Sequence, residues 1–274
     1  MNTTPVKDIS ASDLKAYMSG HKEESYLLID VREPKEYKQG HIPGSVLLPL
    51  KEVEAGITDF DLEKDVFFYC RSGRRSRIAA NLVADMGVPA KSIYNLAGGI
   101  LSWQGKKLQD FPRVSVFPAY RDISSLLRRA LELEKGAQTF YTACAGLFEH
   151  ETISRDATAL AKLEVEHARL IYRILEKYQP DLDSFEKMFE EAQGDIIEGG
   201  LSVTEAVNRL KNAEGDACVN FSELALEIEF MAYELYKNLS AMAGEKEIAL
   251  EMLALSEQEK GHARVVANML SRCF

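Results

Sequence analysis

The sequence has little that would suit a secreted, membrane or nucleic-acid-binding protein. Its four cysteines, Cys70, Cys144, Cys218 and Cys273, form no Cys-x-x-Cys pair. Neither a disulfide framework nor a four-cysteine metal site is therefore expected. No run of 18 apolar residues occurs, so no membrane-spanning helix is expected. The opening residues, MNTTPVKDIS, lack the basic-then-apolar order of a secretion signal, and the expected location is the cytoplasm. Basic charge is also scarce, with 33 Lys and Arg against 43 Asp and Glu. The deficit is uneven: residues 1–118 carry 16 basic and 15 acidic side chains, whereas residues 119–274 carry 17 and 28. An acidic half of that size repels phosphate backbones, which argues against a nucleic-acid partner. What is present is 46% apolar content over 274 residues, enough for two cored domains.

The second half contains an internal repeat. Glu164-Val165-Glu166-His167 returns as Glu259-Lys260-Gly261-His262, 95 residues later. Glu134 and Glu229 keep the same offset, as do Tyr141 and Tyr236. The flanking Ala130-Leu131-Glu132 recurs as Ala225-Leu226-Glu227, and Ala168-Arg169 as Ala263-Arg264. A helical Glu-x-x-His places its two side chains on one face, almost one turn apart. A spacing of seven, as between Glu134 and Tyr141, is almost two turns. Two copies of such a helix pair make a four-helix bundle. Its interior then receives one Glu from each of two helices and a Glu-x-x-His pair from each of the others, the ligand set of dinuclear carboxylate bundles. Four carboxylates are too costly to bury without a compensating cation, and two divalent metals would neutralise them.

Residues 122–274 resemble the rubrerythrin branch of the ferritin-like superfamily, through LELEKGAQTFY with LEVEHARL and LEIEFMAYELY with EQEKGHAR. The resemblance implies metal ligands at Glu134, Glu164, His167, Glu229, Glu259 and His262. It also implies two iron ions per chain, with manganese or zinc as alternatives, and a homodimer. Tyr141 and Tyr236 are expected to hydrogen-bond ligand carboxylates. Rubrerythrins carry a further Glu one turn after the third-helix ligand; this chain has Ala232 there. Many also carry a rubredoxin module as electron donor, which the cysteine spacing here does not provide.

The first half alternates strand and helix signals. Ser10 and Asp13 open a helix, with Ser10 as its cap. Tyr26–Val31 suits a buried strand, Val46–Leu48 a second and Asp65–Tyr69 a third. A helix is expected over 75–86, a strand over 92–94 and a short helix over 99–103. Such alternation predicts a parallel sheet with helices on its faces. At the end of the strongest strand lies Cys70-Arg71-Ser72-Gly73-Arg74-Arg75-Ser76, where open parallel sheets bind ligands. Loop amides, a helix N-terminus and three arginines all favour an anion, so Cys70 should be a reactive thiolate. The position where a cysteine phosphatase holds its phosphate-gripping Arg is Ser76, so the loop better fits one sulfur atom. Residues 8–110 resemble a single-domain rhodanese, through LLIDVREPKEYKQGHIPGS, FFYCRSGRRS and NLAGGILSW. That resemblance implies that Cys70 accepts sulfur from thiosulfate or another sulfane donor as a persulfide. The amides of Arg71 to Ser76 would hold the outer sulfur, and Arg71, Arg74 and Arg75 would attract the donor. Asp30, Arg32 and His41 are expected to be structural, and Trp103 a core anchor.

The expected organisation is thus an α/β rhodanese-like domain over 1–110, a linker over 111–121 and an all-α ferritin-like four-helix bundle over 122–274. Bundle helices are expected near 122–148, 150–178, 216–243 and 245–271, with a long crossover between the second and third. The favoured reading is a two-module redox protein: a sulfurtransferase joined to a dinuclear iron site reacting with peroxide or oxygen. Its electron donor and sulfur acceptor are unnamed, and the Cys70 persulfide is one candidate source of reducing equivalents. Two alternatives stay open: a sulfurtransferase whose bundle serves dimerisation or metal storage, and a non-enzymatic metal-binding or sensing protein.

Overall fold

The computed structural model describes residues 4–110, 112, 122–148, 150–242 and 246–273. The expected linker, Pro112 apart, lies outside the described residues. The chain divides into two compact units, Met1–Phe111 with Lys237–Ala243, and Pro112–Tyr236 with Gly244–Phe274.

The first unit runs β1 (Val6–Ile9), α1 (Ala11–Gly20), β2 (Tyr26–Asp30), α2 (Pro34–Gln39), β3 (Val46–Leu47), α3 (Val53–Gly56), β4 (Asp65–Tyr69), α4 (Arg74–Asp85) and β5 (Ser92–Leu96). Ser10 caps α1 by accepting from Asp13 N at 3.1 Å, as its sequence predicts. The sheet order is β1-β5-β4-β2-β3, every pairing parallel. The sheet is buried on both faces, which explains the near-continuous apolar runs of β2 and β4. Leu28 and Phe67 pack with Leu14, Ile100 and Trp103 on one face; Ile29, Val66 and Phe68 pack with Val53, Ala80 and Val83 on the other. Strand β1 was not anticipated: VKDI is short and half-polar, as an edge strand that needs only one partner can be. Arg32 clasps Asp30 through Nε and Nη2 and donates to Gly40 O at 2.8 Å. Buried His41 stacks on Tyr37. Both are tied into the scaffold.

The second unit holds the long helices α5 (Ile123–Leu147), α6 (Glu151–Tyr178), α10 (Lys246–Leu270) and, up to Tyr236, α9 (Ala217–Met242). The crossover between α6 and α9 contains α7 (Phe185–Glu191) and α8 (Val203–Lys211). The buried face of α6 reads Ile153, Ala157, Leu160, Glu164, His167, Ala168, Ile171, Leu175, an apolar stripe at helical spacing. The buried polar residues of α6 are Asp156, near its start, and the sequence-predicted ligands Glu164 and His167. One core joins Phe140, Leu160, Phe221, Ile228 and Val266. None of the described helices is long and apolar enough to cross a membrane.

The cysteine spacing led to no expectation of a disulfide, yet Cys218 and Cys273 form one, with Cα atoms 5.6 Å apart and 55 positions apart in the chain. No Cys-x-x-Cys spacing announces it, because the bundle brings the start of α9 to the end of α10.

Candidate active loop and metal centre

Cys70 directly follows β4 at the carboxyl edge of the sheet, 1% exposed. The chain then turns through Gly73, at φ 89°, into α4. A Cβ at Gly73 would stand 2.9 Å from Leu96 O, so both the turn and the close approach call for glycine. Gly73 N donates to Cys70 Sγ at 3.1 Å, and Ser76 Oγ lies 3.5 Å from the same sulfur. Ser76 also donates to Asn95 Oδ1 at 2.7 Å, and Asn95 Nδ2 donates to Asp8 Oδ1 at 2.8 Å. Burial alone would raise the Cys70 pKa. The hydrogen bonds from Ser76, Ser72 and Gly73 outweigh it and hold the thiol below its ordinary value.

The three arginines separate in role. Arg75 forms a two-pronged pair with Glu36, both contacts at 2.7 Å, so its charge is already engaged. Arg71 and Arg74 are exposed. Arg71 lines a depression of about 490 Å³ with Arg32, Gln39, Ile100, Leu101 and Lys107 among its walls. Ile100 N donates to Cys70 O at 2.8 Å, which sets this depression beside the loop.

In the second unit the six sequence-predicted donors converge. Glu134, Glu164, His167, Glu229, Glu259 and His262 are all buried. His167 Nδ1 lies 3.0 Å from Glu134 Oε2 and 2.6 Å from Glu259 Oε1. His262 Nδ1 lies 3.3 Å from Glu229 Oε2, 3.4 Å from Glu259 Oε2 and 4.0 Å from Glu164 Oε1. Glu259 thus faces one imidazole with each oxygen. Ligand atoms of Glu164 also group with both His167 and His262. The arrangement has two ends, Glu134 with His167 and Glu229 with His262, sharing Glu164 and Glu259. The tyrosines cross over between repeats: Tyr141 donates to Glu229 Oε1 at 2.6 Å and Tyr236 to Glu134 Oε1 at 2.8 Å.

This donor set fits a pair of metal ions. Glu134 Oε2, Glu259 Oε1, both ring nitrogens of His167 and Nδ1 of His262 are buried with no properly directed hydrogen bond. Buried polar atoms nearly always find partners. Here they crowd together at 2.6–4.0 Å without well-directed hydrogen bonds, as donor atoms do around a cation. Electrostatics agree. Burial would lower the His167 pKa, but Glu134 and Glu259 more than reverse this. His262 is pushed up to about 12, its burial likewise overcome by Glu229 and Glu259. Burial and then the charges of Glu229 and Glu134 raise Glu164 well above the carboxylate range. Uncompensated burial costs several kcal/mol per ion, against a typical total stability of about 5–15 kcal/mol. Without cations the cluster holds protons instead.

Comparison with known proteins agrees with both halves. The family model for the Rhodanese-like domain matches residues 10–106, and that for Rubrerythrin matches residues 125–225. The thiosulfate:glutathione sulfurtransferase of Saccharomyces cerevisiae is 30% identical over 115 residues, 37% of this chain and 81% of that protein.

The chain joins a rhodanese-like domain to a rubrerythrin domain.

YrkF of Bacillus subtilis is 35% identical over 105 residues, 38% of this chain; the match spans 55% of YrkF. A solved rhodanese-related protein from Thermoplasma volcanium aligns at 25% identity, covering 38% of this chain and 99% of its own, with a TM-score of 0.33. The rubrerythrin match stops before Glu229, Glu259 and His262. Those three rest on the 95-residue repeat and on the geometry.

Two groups escaped the sequence reading. Asn95 and Asp8 brace Ser76 in the rhodanese-like domain, but neither belongs to the loop motif. In the rubrerythrin domain, Glu198 of the crossover is 2% exposed, with Oε1 lacking a hydrogen-bond partner. It has no repeat counterpart to mark it. The one signal was an acidic residue directly before Gly199-Gly200.

Proposed function

We propose that this is a two-module redox protein: a sulfurtransferase working through Cys70, joined to a dinuclear iron centre that reduces peroxide or oxygen. The sulfur step follows from the loop. The Cys70 thiolate attacks the outer sulfur of thiosulfate; the S–S bond breaks and sulfite leaves with the bonding pair. The amides of the 71–76 loop and the Ser76 hydroxyl stabilise the persulfide's outer sulfur, and exposed Arg71 and Arg74 draw in the dianion. An acceptor thiolate then attacks that sulfur, and Cys70 leaves as thiolate. The lowered thiol pKa serves both steps, since the thiolate is first nucleophile and then leaving group.

In the bundle, Glu134 and His167 would hold one iron and Glu229 and His262 the other, with Glu164 and Glu259 shared. Two ferrous ions, when bound, would supply the two electrons that reduce peroxide to water. Tyr141 and Tyr236 orient the end carboxylates, and the helices around the cluster exclude bulk water. Iron is chosen over manganese or zinc on family grounds, since oxygen-rich donor sets accept several metals. A homodimer and a cytoplasmic location complete the reading.

The observation that carries this proposal is the convergence of six buried donors on points none of them fills. The test uses the full chain purified without air. Thiosulfate:cyanide transfer should vanish in Cys70→Ser and persist in His167→Ala; peroxide consumption should show the reverse. That peroxide assay is a single turnover of the pre-reduced chain; sustained turnover fed through the persulfide by thiosulfate and a thiol should instead fall in Cys70→Ser. Transfer that survives Cys70→Ser, or peroxide turnover that survives His167→Ala, would overturn the respective module's assignment.

A further inference from the structure

The crossover enters the bundle at one place. From Asp195 to Val203 it folds back on itself: Val203 N donates to Asp195 O at 2.9 Å and Ile197 N to Leu201 O at 2.9 Å. Gly199 and Gly200, at φ 81° and 73°, make the tip. Two contacts fix its depth. A Cβ at Gly136 would fall 1.9 Å from Ile196 O, so the loop lies directly on α5, two residues past Glu134. A Cβ at Gly199 would fall 2.7 Å from Met231 Sδ, so its tip lies on α9, two residues past Glu229. Glu198 therefore stands between two helices at the level of their metal-binding carboxylates. Ile197 beside it belongs to the bundle core.

We infer that Glu198 is a seventh metal-holding carboxylate, delivered to the dinuclear site by the crossover. The inference rests on the dinuclear reading above. Three observations carry it. Glu198 is nine-tenths buried or more, yet its Oε1 has no hydrogen-bond partner, and an ionised carboxylate is not left so without a cation nearby. The charges acting most strongly on it are carboxylates, Glu134 first, then Glu259 and Glu229. Finally, the position one turn beyond Glu229 is Ala232, buried and unable to ligate. The crossover supplies the carboxylate that this helix lacks. Because Glu198 sits on a loop closed by a few backbone bonds, it can approach or withdraw more freely than a helix-borne donor.

The test is a Co(II) titration of the metal-free full chain, read by visible absorption and by bound metal per chain. Wild type should bind about two ions. Glu198→Gln keeps the shape of the side chain, and Glu198→Ala removes it. Both should weaken one of the two ions at least tenfold and change the visible bands. Glu190→Ala, an exposed carboxylate of the same crossover, should leave both unchanged. Far-UV circular dichroism of the metal-free Gln variant confirms the helices. Two ions bound at wild-type affinity with an unchanged spectrum in Glu198→Gln would overturn the inference while leaving the dinuclear centre intact. A wild-type chain that binds no metal would overturn both.

Discussion

The two sites are built in opposite ways. The sulfur loop is local: seven consecutive residues, Cys70 to Ser76, turned by one glycine and read mostly through backbone amides. The metal centre is distributed: its six donors span Glu134 to His262 and meet only when four helices pack. The difference lies in what each must stabilise. A single thiolate needs a few aligned N–H groups, which a turn supplies. Four buried carboxylates need cations and opposed imidazoles, which no single segment can arrange. The loop should therefore tolerate side-chain changes at exposed Arg71 or Arg74 better than the bundle tolerates loss of any donor.

That contrast can be sharpened inside the metal centre. Each tyrosine holds an end carboxylate belonging to the other repeat, so Tyr141→Phe and Tyr236→Phe should each weaken metal binding by about 10- to 100-fold. Equal losses, measured by competition with a coloured chelator, fit the two-fold arrangement. A loss confined to one variant would break it.

A smaller effect compares the two free thiols, Cys70 and Cys144. Cys70 is held below its ordinary pKa by loop hydrogen bonds, whereas burial alone pushes Cys144 up to about 12. Alkylation by iodoacetamide follows the thiolate. A lowered pKa therefore moves the half-maximal rate at Cys70 below the value for a free thiol, about pH 8.5, while Cys144 stays unreactive near neutrality. Peptide mapping across pH 5–10 gives both curves. A Cys70 curve centred above pH 9 would contradict the amide cradle.

Much of this was legible in the sequence, for reasons that differ between the sites. The loop could be read because every contributor is adjacent to Cys70. The donors could be read because the chain states them twice: Glu134, Glu164 and His167 recur at a constant offset as Glu229, Glu259 and His262. What escaped had neither adjacency nor repetition. Glu198 sits once, in a crossover whose two halves share no counterpart. Asn95 and Asp8 support Ser76 only because β1, β5 and β4 lie side by side. The Cys218–Cys273 bond depends on helix ends meeting. Arg75 looked free for substrate, and only the fold shows Glu36 opposite it. Strand β1 was hidden by its polar residues, which an edge strand permits.

On the proposed reading, the repeated half of the chain holds two metal ions through six donors. Elemental analysis of the full chain, purified without air, tests it most directly. About two iron atoms per chain are expected, lost on substitution of Glu164 or Glu259, the shared carboxylates. A chain that holds no metal even after reconstitution with ferrous iron would contradict it, and would leave Cys70 as the one active centre.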